Sequence, residues 1–374
     1  MNLSKALLSI AVGVPAALSA AEYQSLSSFV DAAGQHVVYV SGAGHVNQLY
    51  FGSSWTNQDL TAMTGGPTAA AVVTSFVDSS GHEHIGYISP VTSHVNQLYF
   101  NGGAWSNQDI TASAGGNLAD ANYPMTSYVD HSGGQHICYI DASANLNQYY
   151  NNGAGWVYQN ITAAGHGNPV LYSTLLSSFV DSSNYQHIAY EDTGSHINQI
   201  LYNGAGWINQ TLSNYGGTPD SYTPLTAFLD SSQGQHIAYV DSSLHIDQLY
   251  YNRSTWVNQN LSSLAGSGPG QNDAITSFID GANGLHVAWI DSSSDINVLT
   301  SYGGVTWSNQ NVTAAVGGSP DYRTCLTSWV DSSGGLHIAY ISAANGHAYQ
   351  LYWNGSAWAN QDITALGGGS NPQL

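Results

Sequence analysis

Short apolar runs alternate with Ser- and Gly-rich polar turns along this chain, and no stretch sustains the 3.6-residue apolar rhythm of an amphipathic helix. One stretch shows the pattern. Residues 225–230, 236–241, 245–251 and 256–261 each read as a short strand, with turn residues between them. Within 236–241 the small Ala238 sits between Ile237 and Tyr239, and 245–251 is rich in aromatic and β-branched side chains. Gly and Ser occupy the turns because they tolerate the backbone conformations that tight hairpins demand. The pattern predicts four antiparallel strands in succession.

The same unit recurs along the chain. An aromatic-aliphatic-Asp triplet ends at Asp31, Asp78, Asp130, Asp181, Asp230, Asp280 and Asp331. Five or six residues later each copy has a His: His36, His84, His136, His187, His236, His286 and His337. Each copy then carries a Trp near its end: Trp55, Trp105, Trp156, Trp207, Trp256, Trp307 and Trp358. The repeat length is about 50 residues. Four strands at this period predict an all-β, seven-bladed β-propeller filling residues 22–374. A β-helix would need shorter coils, and a helical solenoid the missing apolar rhythm. The first strand starts just after the N-terminal leader and the last ends near Leu366, so no blade is expected to be shared between the chain ends. Closure should then rest on face packing between the first and seventh blades.

Residues 1–21 read as a secretory signal: Lys5, an apolar segment from Ala6 to Leu18, and the small residues Ser19, Ala20 and Ala21 before a cleavage point. Lys5 is the only lysine, so an exported chain keeps Arg253 and Arg323 as its only Lys or Arg. A net charge of −20 with three Lys and Arg in all disfavours nucleic acids and anionic membranes, which need clustered cations. Neutral partners remain, and sugars are the obvious neutral class. Cys138 and Cys325 fall at non-equivalent positions nearly four repeats apart, and are expected as free, buried thiols.

Three sets of repeated polar and aromatic residues are candidates for chemistry. The Asp and His of each first hairpin face each other, which suits a structural hydrogen bond and an Asp-capped turn. One His and one Asp per blade make an incomplete metal set, and no metal or cofactor is expected. A second His opens the third strand in five copies, at His45, His94, His196, His245 and His347, with Asn145 and Asp295 in the others. It is either a turn residue at a blade end or a hydrogen-bonding group for a ligand hydroxyl. The third strand also carries Gln48, Gln97, Gln148, Gln199, Gln248 and Gln350 ahead of apolar or aromatic pairs such as Tyr250 and Tyr251. With Trp55, Trp105, Trp156, Trp207, Trp256 and Trp358 these suit a sugar: flat rings for its C–H patches, amides and imidazoles for its hydroxyls. The alternative for each Trp is a core wedge between blades.

Residues 226–261 resemble a blade of the Aleuria-type fucose-binding lectins and the related seven-bladed bacterial lectins. The shared plan is a short inner strand, a strand through His236, Ile237, Ala238 and Tyr239, a strand with a polar residue before aromatics, then a turn and Trp. The resemblance extends over all seven copies. It implies sugar sites between adjacent blades, held in that family by an Arg on the second strand, a Glu on the third, and stacking Trp or Tyr. Here the Arg place falls to Ile85, Ile188, Ile237 and their equivalents, and the Glu place to the Gln residues; the aromatics alone carry over. The sixth copy departs further, with Val298 for Gln, Thr300 and Ser301 for the aromatic pair, and Asp295 for His. If the Gln, aromatic and Trp set is a site, the blade holding Val298 should be silent.

The first expectation is therefore a secreted, multivalent, lectin-like protein whose partners are glycans or glycoconjugates on a cell or polysaccharide surface, with about six sites. The alternative is a secreted, non-catalytic interaction or surface-structural propeller. An enzyme is not expected, because glutamates are confined to Glu22, Glu83 and Glu191 and most Asp occupy repeated turns. A third possibility is acid sensing by the fifteen His, if they are accessible.

Overall fold

A computed structural model describes residues 25–172, 174–221, 223–266 and 274–373. The leader and cleavage point expected at 1–21 lie outside the described residues. Seven sheets of four antiparallel strands follow one another along the chain, each in simple sequential order. In the fifth blade the strands are Leu225–Leu229, Gln235–Val240, Ile246–Tyr251 and Trp256–Asn260. They coincide with the expected segments to within a residue. First strands of neighbouring blades pack on one another and make the inner ring.

The core lies between blades. Each of seven apolar clusters joins residues of two neighbours: Ala189, Ile197, Ile237, Tyr239 and Leu249, for example, unite the fourth and fifth. This explains the second strand, which is buried on both faces and therefore mixes small with large side chains. Fully burying one such Leu or Ile contributes about 1.5–3 kcal/mol.

Two further devices join the blades. Hydroxyls on the inner strands form a belt across the junctions, including Ser27–Ser75 at 2.7 Å, Thr74–Ser127 at 2.6 Å and Thr126–Ser178 at 2.7 Å. Where the fifth blade has Ala227, its backbone N–H donates to Ser177 Oγ instead. Outside the sheets, the segment leaving one blade bridges to the next, as Ala119 does to Asp141 and Pro320 to Ser342.

Ring closure uses both devices. The first blade keeps all four of its own strands, as expected, and face packing joins Tyr39 and Leu49 to Cys325 and Ile341. Beyond that packing, Pro372 bridges to Ser41, Gln373 N–H donates to the Val40 carbonyl, and Ser28 bonds Thr327 at 2.6 Å. The C-terminal segment thus does for the first blade what the linkers through Ala119, Val170, Pro219 and Pro320 do for the blades that follow them. Cys138 and Cys325 are free and buried, and burial pushes both thiols up, Cys325 to about 11. Leu26 N–H donates to Cys325 Sγ at 3.1 Å across the closure.

One element was absent from the sequence reading. A single helical turn follows the fourth strand of every blade, for instance Ile161–Gly165 and Ile363–Gly367, with a 3-10 turn at Leu212–Tyr215. Asp59, Asp109, Asn160, Asn260, Asn311 and Asp362 cap six of the seven through their side chains. Five residues are too few to display a 3.6 period.

Candidate binding clefts between the blades

The aromatic residue of the first strand stacks on the His of the second in every blade. Phe29 and His36 lie 4.3 Å apart at 8°, and Trp329 and His337 4.9 Å apart at 5°. The His Nε2 faces the Asp that ends the hairpin, at 3.0 Å for His36 and Asp31 and 2.9 Å for His337 and Asp331. That Asp also accepts from its own turn: Asp31 Oδ1 takes the N–H groups of Ala33 and Gly34. Burial lowers the basicity of His36, His84, His136, His286 and His337 more than the Asp partner raises it, so these rings are neutral at pH 7. The Asp and His of each first hairpin thus face each other across a hydrogen bond, as the sequence suggested.

On the third strand, the Gln points at this His from the same blade. Gln48 Nε2 lies 2.8 Å from His36 Nδ1, and Gln148 Oε1 3.2 Å from His136 Nδ1; Gln199 makes the same contact with His187. Directly opposite, in register, stands a Gln of the fourth strand: Gln48 pairs Gln58, Gln199 pairs Gln210, and Gln350 pairs Gln361. The Gln that follows each repeated Trp by three residues was overlooked in the sequence, although all seven copies carry it.

Strand geometry sends the Trp to the other face of the sheet. Trp55 pairs Phe51, three residues beyond Gln48, and successive side chains alternate faces. A cleft therefore combines the His and Gln face of one blade with the Trp of the following blade. Gln350 and Trp55 share a cavity of about 550 Å³ between the seventh and first blades, Gln199 and Trp256 one of about 500 Å³, and Gln148 and Trp207 one of about 430 Å³. Gln48 meets Trp105 in a fourth, of about 550 Å³. Gln97 and Trp156 are equivalent between the second and third blades.

The Trp rings are wedge and wall together. Trp55, Trp207, Trp256 and Trp358 are buried in junction clusters, while Trp105 and Trp156 are half-buried. Trp207 Nε1–H donates to Gln159 at 3.0 Å, and Trp358 Nε1–H to Gln310 at 3.2 Å, each across a junction. Trp358 therefore faces the blade of Val298, and Gln248 faces Trp307.

The residue before the His completes each cleft from the following blade. It is Gln35, Glu83, Gln135, Gln186 and Gln235, then Leu285 and Leu336. Gln135 Nε2 reaches Asp78 at 3.2 Å, and Gln35 Nε2 reaches Asp331 at 3.3 Å. Around the sixth blade the polar set collapses. Val298 packs with Leu336 and Trp358, and Leu285 packs with Leu299 and Trp307.

The same His and Gln contact recurs in other blades, where Gln97 bonds His84 and Gln350 bonds His337. These are the same positions of the repeat each time.

The structure does not bring His45, His94, His196, His245 and His347 to these clefts. They lie at the opposite end of the third strand, about a quarter to a half exposed, and bond to carboxylates. His45 Nδ1 is 2.7 Å from Asp59, and His196 Nδ1 is 3.1 Å from Asp192. Among the described residues one grouping has metal-like spacing, Asp31, His36 and Glu83. Its imidazole is already engaged on both nitrogens, by Asp31 and by Gln48, which leaves no free lone pair for a metal.

No protein-family model matches the chain, and no curated protein sequence is significantly similar to it. Solved structures are similar in fold. The lectin BP39L of Burkholderia pseudomallei superposes with a TM-score of 0.69 at 14% identity, covering 91% of this chain and 98% of that one. AofleA of Arthrobotrys oligospora gives 0.57 at 13% identity, covering 77% and 84%. The six-bladed fungal lectin of Aleuria aurantia, described with a fucose recognition mode, gives 0.56 at 13% identity, covering 78% and 93%. The structural neighbours include the propeller lectins that the blade pattern resembles, and the chain shares their propeller fold.

Proposed function

We propose that this protein is a secreted, non-catalytic, multivalent carbohydrate-binding protein whose sites are the clefts between adjacent blades. The observation that carries this reading is the recurrence of the same Gln and His side chains in clefts walled by Trp and Tyr. A sugar matches both halves of such a cleft, with hydroxyls for the amides and imidazoles and C–H faces for the rings. The fold neighbours add support, since those of Burkholderia pseudomallei and Aleuria aurantia are named as lectins and the latter is described as fucose-specific. Fucose specificity does not follow, because Ile85, Ile188 and Ile237 are wholly buried where the resemblance would put an Arg.

Four clefts carry the full neutral set, at the second–third, third–fourth, fourth–fifth and seventh–first junctions. The first–second cleft has Glu83 in place of Gln, and the two flanking the sixth blade are filled by Leu285, Val298 and Leu336. Several weak sites on one rigid ring gain avidity on a repetitive glycan surface. A glycan array with the chain after removal of residues 1–21 tests the reading. Binding to a neutral glycan is expected, weakened by Gln199→Val, which imports the residue already present at 298. A blank across fucosylated, galactosylated and amino-sugar glycans would overturn it and favour a protein partner.

A further inference from the structure

The cleft between the first and second blades differs from its counterparts in charge. Glu83 opens the second strand of the second blade, where the other polar clefts have Gln, and is 6% exposed. It lines a cavity of about 550 Å³ with Gln48, Gln58, Tyr50, Phe100 and Trp105. The three aromatic residues are half-buried, so each keeps part of its surface toward solvent. Phe100 and Trp105 pack at 5.4 Å.

Hydrogen bonds orient the carboxylate without neutralising it. His36 donates from Nε2 to Asp31 and accepts from Gln48 at Nδ1, and the second hydrogen of the same amide goes to Glu83 Oε2 at 2.7 Å. The ionisable groups facing Glu83 are Asp31, a like charge, the neutral His36 and the Tyr50 phenol; the lining contains no Lys or Arg. Burial pushes the Glu83 carboxyl up to about 7. The cleft thus holds a carboxylate in want of a positive partner, beside aromatic surfaces.

We infer that the first–second cleft binds a ligand bearing a positively charged ammonium group, with Glu83 as its counter-ion and Tyr50, Phe100 and Trp105 as its walls. Ammonium groups are attracted to aromatic faces and to a poorly solvated carboxylate by the same electrostatics. The chain as a whole, at a net charge of −20, draws cations toward it. This assignment concerns one cleft and goes beyond neutral-sugar recognition at the others, so either can fail alone.

Choline chloride is the probe, because its charge does not titrate. Calorimetry should show one equivalent per chain at about pH 8.5, with the uncharged carbon isostere dimethylbutanol about tenfold weaker. Binding should weaken at about pH 5, where Glu83 takes up a proton. Glu83→Gln should remove both the preference and the pH dependence; it recreates the amide of the equivalent Gln135 and Gln186, so folding is preserved. Glucosamine, with N-acetylglucosamine as its neutral control, competing better than choline would make the ammonium sugar-borne; no competition would make it a free alkylammonium. Equal affinity for choline and its isostere, or choline binding untouched by Glu83→Gln, would overturn the assignment. A blank for neutral glycans with choline binding intact would remove the lectin reading and leave this one standing.

Discussion

Thr162 shows how much one repeated side chain can specify. Its hydroxyl accepts the backbone N–H of Leu146 at 2.8 Å, while Asn160, two residues earlier, caps the helical turn through Ala163 N–H. Asp or Asn followed at the second place by Thr or Ser does this in six blades; the fourth has Thr211 and Ser213, with the hydroxyl bond at 2.7 Å and no side-chain cap. The Asn-x-Thr/Ser triplets at Asn160, Asn260 and Asn311 each place the capping Asn and the bridging hydroxyl together. Thr162→Val should leave the Leu146 N–H buried and unpaired, at a cost of about 1–3 kcal/mol. Urea denaturation should show a lower midpoint with unchanged slope. Asn160→Asp, which several blades already use, should change little.

At the scale of the element, the first hairpin is a sandwich of aromatic ring, His and Asp whose stability depends on pH. His36, His84, His136, His286 and His337 are held below their ordinary basicity by burial. As pH falls below about 6.5 the unfolded chain takes up these protons first, so stability present above that value is lost on acidification. Their partners Asp78, Asp280 and Asp331 are depressed, Asp331 to about 2, and extend the loss to lower pH. Glu83, raised to about 7, acts in the opposite sense: its contribution is complete below about 4.5 and fades as pH rises through 7. Denaturation midpoints from pH 7.5 to 4.5 should therefore fall, and fall more steeply in Glu83→Gln. A midpoint that stays flat would show that the stacked His rings titrate normally. The strands of these hairpins were legible because short apolar runs and Ser-Gly turns repeat seven times over. The sites were legible only in part. Polar Gln before aromatics stood out, but composition does not say which face of a strand a side chain takes. His45 lies three residues from Gln48, about 10 Å along the strand and on the other face, so the two cannot share a ligand. The same alternation moves every Trp to the neighbouring cleft.

Over the whole ring, the junctions follow one plan, and the differences among them set its capacity. The closing junction is built like the rest, with Pro372 on Ser41 and Thr327 on Ser28. Removing residues 369–373 should thus lower the melting temperature by opening one junction, with the seven sheets themselves retained by circular dichroism. Capacity follows from the residue preceding each stacked His and from the third-strand Gln of the blade before it. Duplication supplied seven such pairs, and three apolar substitutions close two of them. Leu285 packs with Trp307, and Leu336 with Val298, so apolar residues stand in the clefts on both sides of the sixth blade, where the sequence alone suggested one silent site. Glu83 sets a third apart by charge. A neutral glycan should accordingly titrate to about four equivalents per chain, against the six implied by counting Gln residues. The paired change Val298→Gln with Leu336→Gln restores the amide set opposite Trp358 and should raise the count by one. Leu336→Gln alone should not, because Val298 still fills the wall that the third-strand amide provides elsewhere. A count of six in the unaltered chain would show that neither leucine obstructs its cleft.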